Sequence, residues 1–288
     1  MIPAQFDYLA PTSVDEVLAA LADAGSAGTD VKLLGGGQSL MPVLRMRLAA
    51  PELVVDLSNV EGLRGVREDG DALVIGAMTT HDDVTRDPLV RRHALLLALA
   101  TQTVADPQVR HRGTFGGALV HADPAGDLPA PALALDAAFV IAGQGGARRT
   151  VPASDFFTDL FTTAVGEDEL LVEVRVPKYT GWGAHYEKFS RVAQAWSIVA
   201  VAAAVRVEGG SIAEARIGLT NMGSTPVRAT AVEQALVGQP ATADAIRQAA
   251  SGAGDGTNPP EDSNADADYR RHLAGVLTSR AVLAASGG

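Results

Sequence analysis

The reading turns on Val31-Lys32-Leu33-Leu34-Gly35-Gly36-Gly37-Gln38-Ser39. A short apolar run that stops at three glycines reads as a buried strand entering a tight turn. Just upstream, Ser13-Val14-Asp15-Glu16 is a capping box, a hydroxyl followed three residues later by a carboxylate. Val14, Val17, Leu18 and Leu21 then recur at helical spacing, and Gly25 and Gly28 stand where that helix should end. Downstream, Leu53 to Leu57 and Ala72 to Gly76 read as further strands. A chain that alternates helix, strand and glycine turn in this way mixes α and β structure. It also presents backbone without Cβ atoms, which a ligand can approach closely. Two readings of Gly35 to Ser39 stand at this level: a bare turn, or a phosphate cradle with the Ser39 hydroxyl as an extra donor. The segment fits neither GxGxxG nor GxxxxGK followed by Ser or Thr, so the common nucleotide fingerprints are not met.

The 288 residues include 23 Lys plus Arg against 34 Asp plus Glu, a formal charge of −11, and no cysteine. At ~100–200 residues per domain the length suits about two domains. Without cysteine there can be no disulfide framework, thiolate-ligated iron–sulfur cluster, zinc ribbon or cysteine nucleophile. The acidic excess argues against a nucleic-acid partner, which asks for a basic face. The longest apolar stretch, Ile198 to Val205, is eight residues, far short of the ~20 of a membrane helix. It reads as a buried strand. Met1 to Asp7 has no basic region followed by an apolar run. These features give the expectation of a soluble cytoplasmic protein with no transmembrane segment.

Further along, residues 87–104 favour one helix and residues 105–131 read as a loop-rich stretch. Ala137 to Ala142 and Leu170 to Val176 read as strands, and Pro177 closes the second. A domain boundary is expected there. The last third reads as a long strand from Ile198, a Gly209-Gly210 hairpin and a return strand from Ile212 to Leu219. Helices are expected over Ala229 to Val237, Ala241 to Ala250 and Ala267 to Ala285, with a mobile loop from Gly252 to Asn264.

Several segments invite chemistry. Gly113-Thr114-Phe115-Gly116-Gly117 can cradle a second phosphate or simply turn the chain. Asp127, ten residues later, can bond a ribose or an amide. His121 and Asp123 lack a third ligand at a typical metal spacing, so no metal is expected. Lys188 and Trp196 are either surface and core residues or the lining of a ring-shaped cofactor. Arg110-His111-Arg112 is either a solvated turn or a neutraliser of a diphosphate.

Taken together and in order, these stretches resemble the FAD-binding medium subunits of the molybdenum hydroxylases, the xanthine dehydrogenase family. Within it the chain is most similar to the carbon monoxide dehydrogenase branch. The resemblance spans the whole chain. It rests also on Phe6-Asp7-Tyr8, Gly76 to Thr80, Ala105 to Arg110, Gly218-Leu219-Thr220-Asn221 with Thr225-Pro226, and Asp268-Tyr269-Arg270. The resemblance implies an α+β fold. A two-subdomain FAD-binding domain of the vanillyl-alcohol-oxidase type would cover residues 1–177, divided near 58 and 59. A small C-terminal domain of antiparallel sheet plus helices would cover 178–288.

It implies non-covalent FAD held by Leu33, Leu34, Gly35, Gly36, Gly37, Gln38, Ser39 and Leu40 at the first loop. Val104, Asp106, Gly113, Thr114, Gly116, Gly117 and Ala118 serve around the second. Asp123 follows, with Asp127 on the nucleotide half, Leu171 on the strand before the boundary, and Lys188 and Trp196 beside the flavin ring. The chain departs from the family pattern at Gly35 (usually alanine), Phe115 (isoleucine), Ala118 (asparagine), Ala195 (aspartate) and Trp196 (tyrosine).

The implied role is electron transfer, with no catalytic side chain on this subunit. A small partner carries two [2Fe–2S] clusters, and a large partner oxidises the substrate at a molybdenum–pterin centre. A quinone or another acceptor takes the electrons, and the complex is a dimer of heterotrimers, cytoplasmic or at the inner membrane face. Carbon monoxide is the favoured substrate. Purines, N-heterocycles and aldehydes stay open, as do a stand-alone FAD-dependent oxidoreductase and a binding module. On this reading Gly36→Asp should abolish FAD binding by clashing with the pyrophosphate.

Overall fold

The computed structural model describes residues 1–287. The first unit opens with β1 (Asp7–Leu9), α1 (Val14–Ala27), β2 (Val31–Leu34), α2 (Leu40–Arg45) and β3 (Leu53–Asp56). Its strands form a parallel sheet in the order β1-β3-β2. The Ser13 hydroxyl accepts from the Glu16 N–H at 3.2 Å. The Glu16 carboxylate reaches back to the Thr12 N–H at 2.7 Å, one residue earlier than a strict capping box. Gly28, at φ +70°, ends α1, whereas Gly25 lies inside it.

The second unit contains β4 (Val66–Asp69), β5 (Ala72–Gly76), α3 (His81–Arg86), α4 (Pro88–His93), α5 (Leu95–Gln102), α6 (Pro107–Arg110), α7 (Phe115–His121) and α8 (Pro129–Ala134). It continues with β6 (Ala138–Ala142), β7 (Arg148–Pro152), α9 (Ala153–Phe156), β8 (Phe157–Asp159), β9 (Thr162–Thr163) and β10 (Leu170–Pro177). An antiparallel sheet runs in the order β4-β5-β10-β6-β7. The single helix expected over 87–104 is two, broken at Ala94. Asp87 caps α4 with Pro88 at its first position, and the buried His93 at its end turns aside to meet Thr180 at 2.6 Å. The stretch read as loop carries three short helices. Asp106 and Thr114 act as N-caps for two of them, side chain to N–H, at 2.9 and 3.3 Å.

The C-terminal unit has β11 (Gly183–Phe189), β12 (Val199–Glu208), β13 (Ser211–Thr220), β14 (Val227–Arg228), α10 (Thr230–Leu236), α11 (Ala243–Ala250) and α12 (Ala267–Ala285). The sheet is antiparallel in the order β11-β12-β13-β14. β12 reads as an unbroken apolar run because both its faces are covered. Ala200, Ala202 and Ala204 join the core under the helices of the second unit, while Val201, Ala203 and Val205 join the core under α12. The arrangement is α+β, as expected. Among the described residues no helix is long and apolar enough to cross a membrane.

Candidate functional site

The first glycine segment leaves β2 and enters α2. Gly37 takes φ +75°, and the Gln38 side-chain amide donates to the Gly36 carbonyl at 3.0 Å, which folds the loop back on itself. Met41 N–H closes the turn onto the Gly37 carbonyl at 3.0 Å. Among the described residues, no backbone or side-chain acceptor takes the N–H groups of Gly36, Gly37, Gln38, Ser39 or Leu40. Consecutive backbone N–H groups of this kind form a positive concavity suited to an anion such as a phosphate.

The second glycine segment is built differently. Its amides are used by the chain: Phe115 N–H donates to Thr79 O at 2.9 Å, Gly116 N–H to Ala77 O at 2.8 Å, and Gly117 N–H to the Thr114 hydroxyl. Its glycines are required by packing. A Cβ on Gly116 would stand 2.6 Å from the Ala77 Cβ, and one on Gly113 would stand 2.7 Å from the His81 ring. A Cβ on Gly36 would run into the Arg112 carbonyl, and one on Gly35 would sit 3.0 Å from the Thr114 hydroxyl. The two segments therefore interlock through their bare Cα positions. Gly36→Asp meets protein backbone before it meets any ligand, so the clash expected with a pyrophosphate falls on Arg112 instead.

A cavity of about 390 Å³ lies over this junction. It is lined by Leu33, Gly35 to Leu40, Gly113, Thr114, Gly116 to Ala118 and Leu171. A second cavity of about 190 Å³ is lined by Val104, Asp123, Asp127, Lys188 and Trp196. The two share Gln38, Ser39, His81, Ala118 and His121, so they form one cleft with a common wall.

Two expected residues fall outside it. Successive strand residues point to opposite faces, so Leu33 lines the cleft and Leu34 lines a further pocket, which meets the first cavity only at Gly36, Gly37 and Gln38. Asp106 lines neither cavity, because its carboxylate is spent as the cap of α6. Asp127, expected on the nucleotide half, shares the cavity of Lys188 and Trp196 and not that of Leu33 and Leu171.

Asp127 is the hub of a buried network. One oxygen accepts from Tyr186 OH and Ser197 Oγ, both at 2.9 Å, and the other accepts from Lys188 Nζ at 2.7 Å. Lys188 Nζ also donates to Thr103 O at 3.2 Å. Burial pushes the Asp127 carboxyl above the usual range and outweighs the pull of Lys188 and the hydroxyl donors. Lys188 stands on β11, which precedes and pairs with the long strand β12.

Trp196 stands at the mouth of the cleft with 56 % of its surface exposed. Asp123 binds the Ala125 N–H at 2.9 Å and closes a turn. Among the described residues no group of three or more His, Asp or Glu is placed to hold a metal ion. His81 was visible in the sequence only as one of six scattered histidines. Its local signal was the Thr80 cap that begins α3.

Comparison with known proteins agrees with this geometry. The FAD binding domain in molybdopterin dehydrogenase matches residues 4–179, and the CO dehydrogenase flavoprotein C-terminal domain matches residues 184–285. The carbon monoxide dehydrogenase medium chain of Hydrogenophaga pseudoflava is 43% identical over 288 residues, 99% of this chain and 98% of that one. A solved structure of carbon monoxide dehydrogenase from that organism, lacking the Mo-pyranopterin moiety, matches with a TM-score of 0.93 at 45% identity, covering 99% of this chain and 98% of that chain. Quinoline 2-oxidoreductase from Pseudomonas putida 86 matches with a TM-score of 0.94 at 34% identity, covering 100% of this chain and 99% of that chain. Fold, glycine segments and whole-length similarity converge, and the chain belongs to the family of FAD-binding medium subunits of the molybdenum hydroxylases.

Proposed function

We propose that the chain is the FAD-carrying electron-transfer subunit of a carbon monoxide dehydrogenase-type complex. The row of five N–H groups from Gly36 to Leu40, without an acceptor among the described residues, carries this reading. It suits the diphosphate of FAD, and Gly35, Thr114, Gly116 and Gly117 form the wall behind it. Leu33 and Leu171 offer apolar surface to the adenosine end. Val104, Ala118, Asp123, Asp127, Lys188 and Trp196 surround the end that suits the ring. Bound FAD would supply the redox chemistry that no side chain here possesses. The protein would bind and orient it, with Lys188 on the wall beside it.

In such a complex a molybdenum–pterin site on a large partner would supply the oxidation of carbon monoxide, CO + H2O giving CO2 + 2 H+ + 2 e−. Two [2Fe–2S] clusters of a small partner would supply the electrons to this subunit, and a quinone or other acceptor would remove them. The lack of cysteine supports the assignment of those clusters to another chain. We place the boundary between the FAD-binding domain, residues 1–177, and the C-terminal domain, residues 178–288, in the connection after β10. We assign the assembly as a dimer of heterotrimers. The equal likeness in shape to quinoline 2-oxidoreductase favours one second reading, in which the large partner hydroxylates an N-heterocycle.

The test is direct. The purified chain should take up one FAD and show flavin absorbance near ~450 nm. The complex recovered with its small and large partners should reduce a dye with carbon monoxide. Failure to take up FAD overturns the reading. Dye reduction with a heterocycle but not with carbon monoxide selects the second.

A further inference from the structure

We propose that His81 is a cofactor-binding residue that donates a hydrogen bond from Nε2 to the polyhydroxyl linker between the diphosphate and the ring of a flavin dinucleotide. This rests on the FAD reading above and names a contact outside the glycine loops. His81 begins α3, fixed by its own N–H donating to the Gly113 carbonyl at 2.9 Å. Only 3 % of the residue is exposed. It stands on the shared wall of the two cavities, between the loop suited to a diphosphate and the Lys188–Trp196 end suited to a ring. Any ligand that fills both ends must pass it. The part of FAD that lies between diphosphate and ring is a chain of neutral hydroxyls, so the matching protein group is a neutral donor or acceptor.

The imidazole meets that demand. Its Nδ1 is buried with no partner among the described residues, and Nε2 also lacks a protein partner but is not sealed from the cleft. A buried N–H left without an acceptor is the rarer arrangement, so we assign the proton to Nε2, which makes it a donor on the side of the cleft that His81 lines. Burial, together with the nearby Arg110 charge, lowers the imidazole to about 4, so the ring is neutral at ordinary pH. The bare Cα of Gly113 leaves room for the ring: a Cβ there would stand 3.0 Å from Nε2. One glycine of the second segment is thus explained by this side chain.

The experiment compares fragments of the cofactor on the full-length chain freed of flavin. Affinities for FAD, riboflavin, lumiflavin and ADP are measured for the wild type and for His81→Phe, which keeps a flat ring without nitrogen. Riboflavin carries the polyhydroxyl chain, lumiflavin a methyl group in its place, and ADP only the nucleotide half. The expected result is about fivefold weaker binding of FAD and riboflavin, with lumiflavin and ADP unchanged. His81→Leu offers the same comparison should the phenyl ring not fit beside Gly113. The proposal is overturned if FAD and riboflavin bind as well as before, or if ADP or lumiflavin weakens in parallel. A wild-type chain that takes up no FAD at all overturns the functional reading instead.

Discussion

Lys188→Met is the most informative single change. In the folded chain the Lys188 Nζ sits 2.7 Å from Asp127, with side-chain exposures of 8 % and 4 %. Methionine keeps most of the stem but removes the charge. Asp127 would retain the Tyr186 and Ser197 hydroxyls and lose the Lys188 cation, and the Thr103 carbonyl would lose a donor. Breaking a buried pair from one side costs about 3–5 kcal/mol, a large share of the ~5–15 kcal/mol that stabilises a typical native protein.

The cost should depend on pH with a definite sign. The Asp127 carboxyl is already raised from 3.8 by burial, so between 3.8 and the raised folded value the folded state holds a proton that the unfolded chain has lost. Stability from this group therefore falls as pH rises from 3.8 through the raised folded value. Losing Lys188 extends that window upward. Urea denaturation of the flavin-free chain, followed by circular dichroism, should show the full deficit at pH 7 and a smaller one at pH 5. A variant within about 1 kcal/mol of wild type, or a deficit equal at both pH values, would refute the assignment of a buried, coupled pair.

Other outcomes can be checked the same way. Gly116→Ala forces a methyl to within 2.6 Å of Ala77 and should cost about 1–3 kcal/mol, read as a lower thermal midpoint. Trp196→Ala should leave the stability of the flavin-free chain within about 0.5 kcal/mol, since the side chain is exposed. Riboflavin affinity should fall by about 0.5–1.5 kcal/mol from the lost stacking. Ala122 ends α7 at φ +49°, and Ala122→Gly relieves left-handed strain of about 1–2 kcal/mol, less about 0.5–1 for the added freedom of the unfolded chain. A net gain of up to about 1.5 kcal/mol should appear in the same melt.

What was legible in the sequence is what local pattern controls. β2, β5 and α12 fall where apolar runs and helical spacing put them. β12 announced itself by an apolar run because both its faces are covered. By contrast β11, Gly-Ala-His-Tyr-Glu-Lys-Phe, sets Glu187 beside Lys188, so it shows neither an apolar run nor a clean alternation, and it owes its existence to pairing along β12 from Gly183↔Val205 to Phe189↔Val199. The break at Ala94 depends on partners of His93 far along the chain.

At the site, the glycines were visible, but their different uses were not. The first loop keeps its amides free, while the second gives its amides to Ala77 and Thr79, which only the folded sheet brings near. Leu34 and Asp106 show the same limit. Strand alternation turns one away, and a helix cap consumes the other. His81 was hidden because the features that define it, Gly113 and the shared wall of the cleft, come together only on folding.

The interlock of Gly36 with the backbone at Arg112 also bears on how such a chain can change over generations. Two loops far apart in sequence meet with no space for even one added carbon. A lengthening or a side chain gained in either loop can persist only if the other yields in step. Substitutions at these positions should therefore be accepted as pairs and rejected singly. Swapping one loop alone from a related subunit should fail where swapping both succeeds.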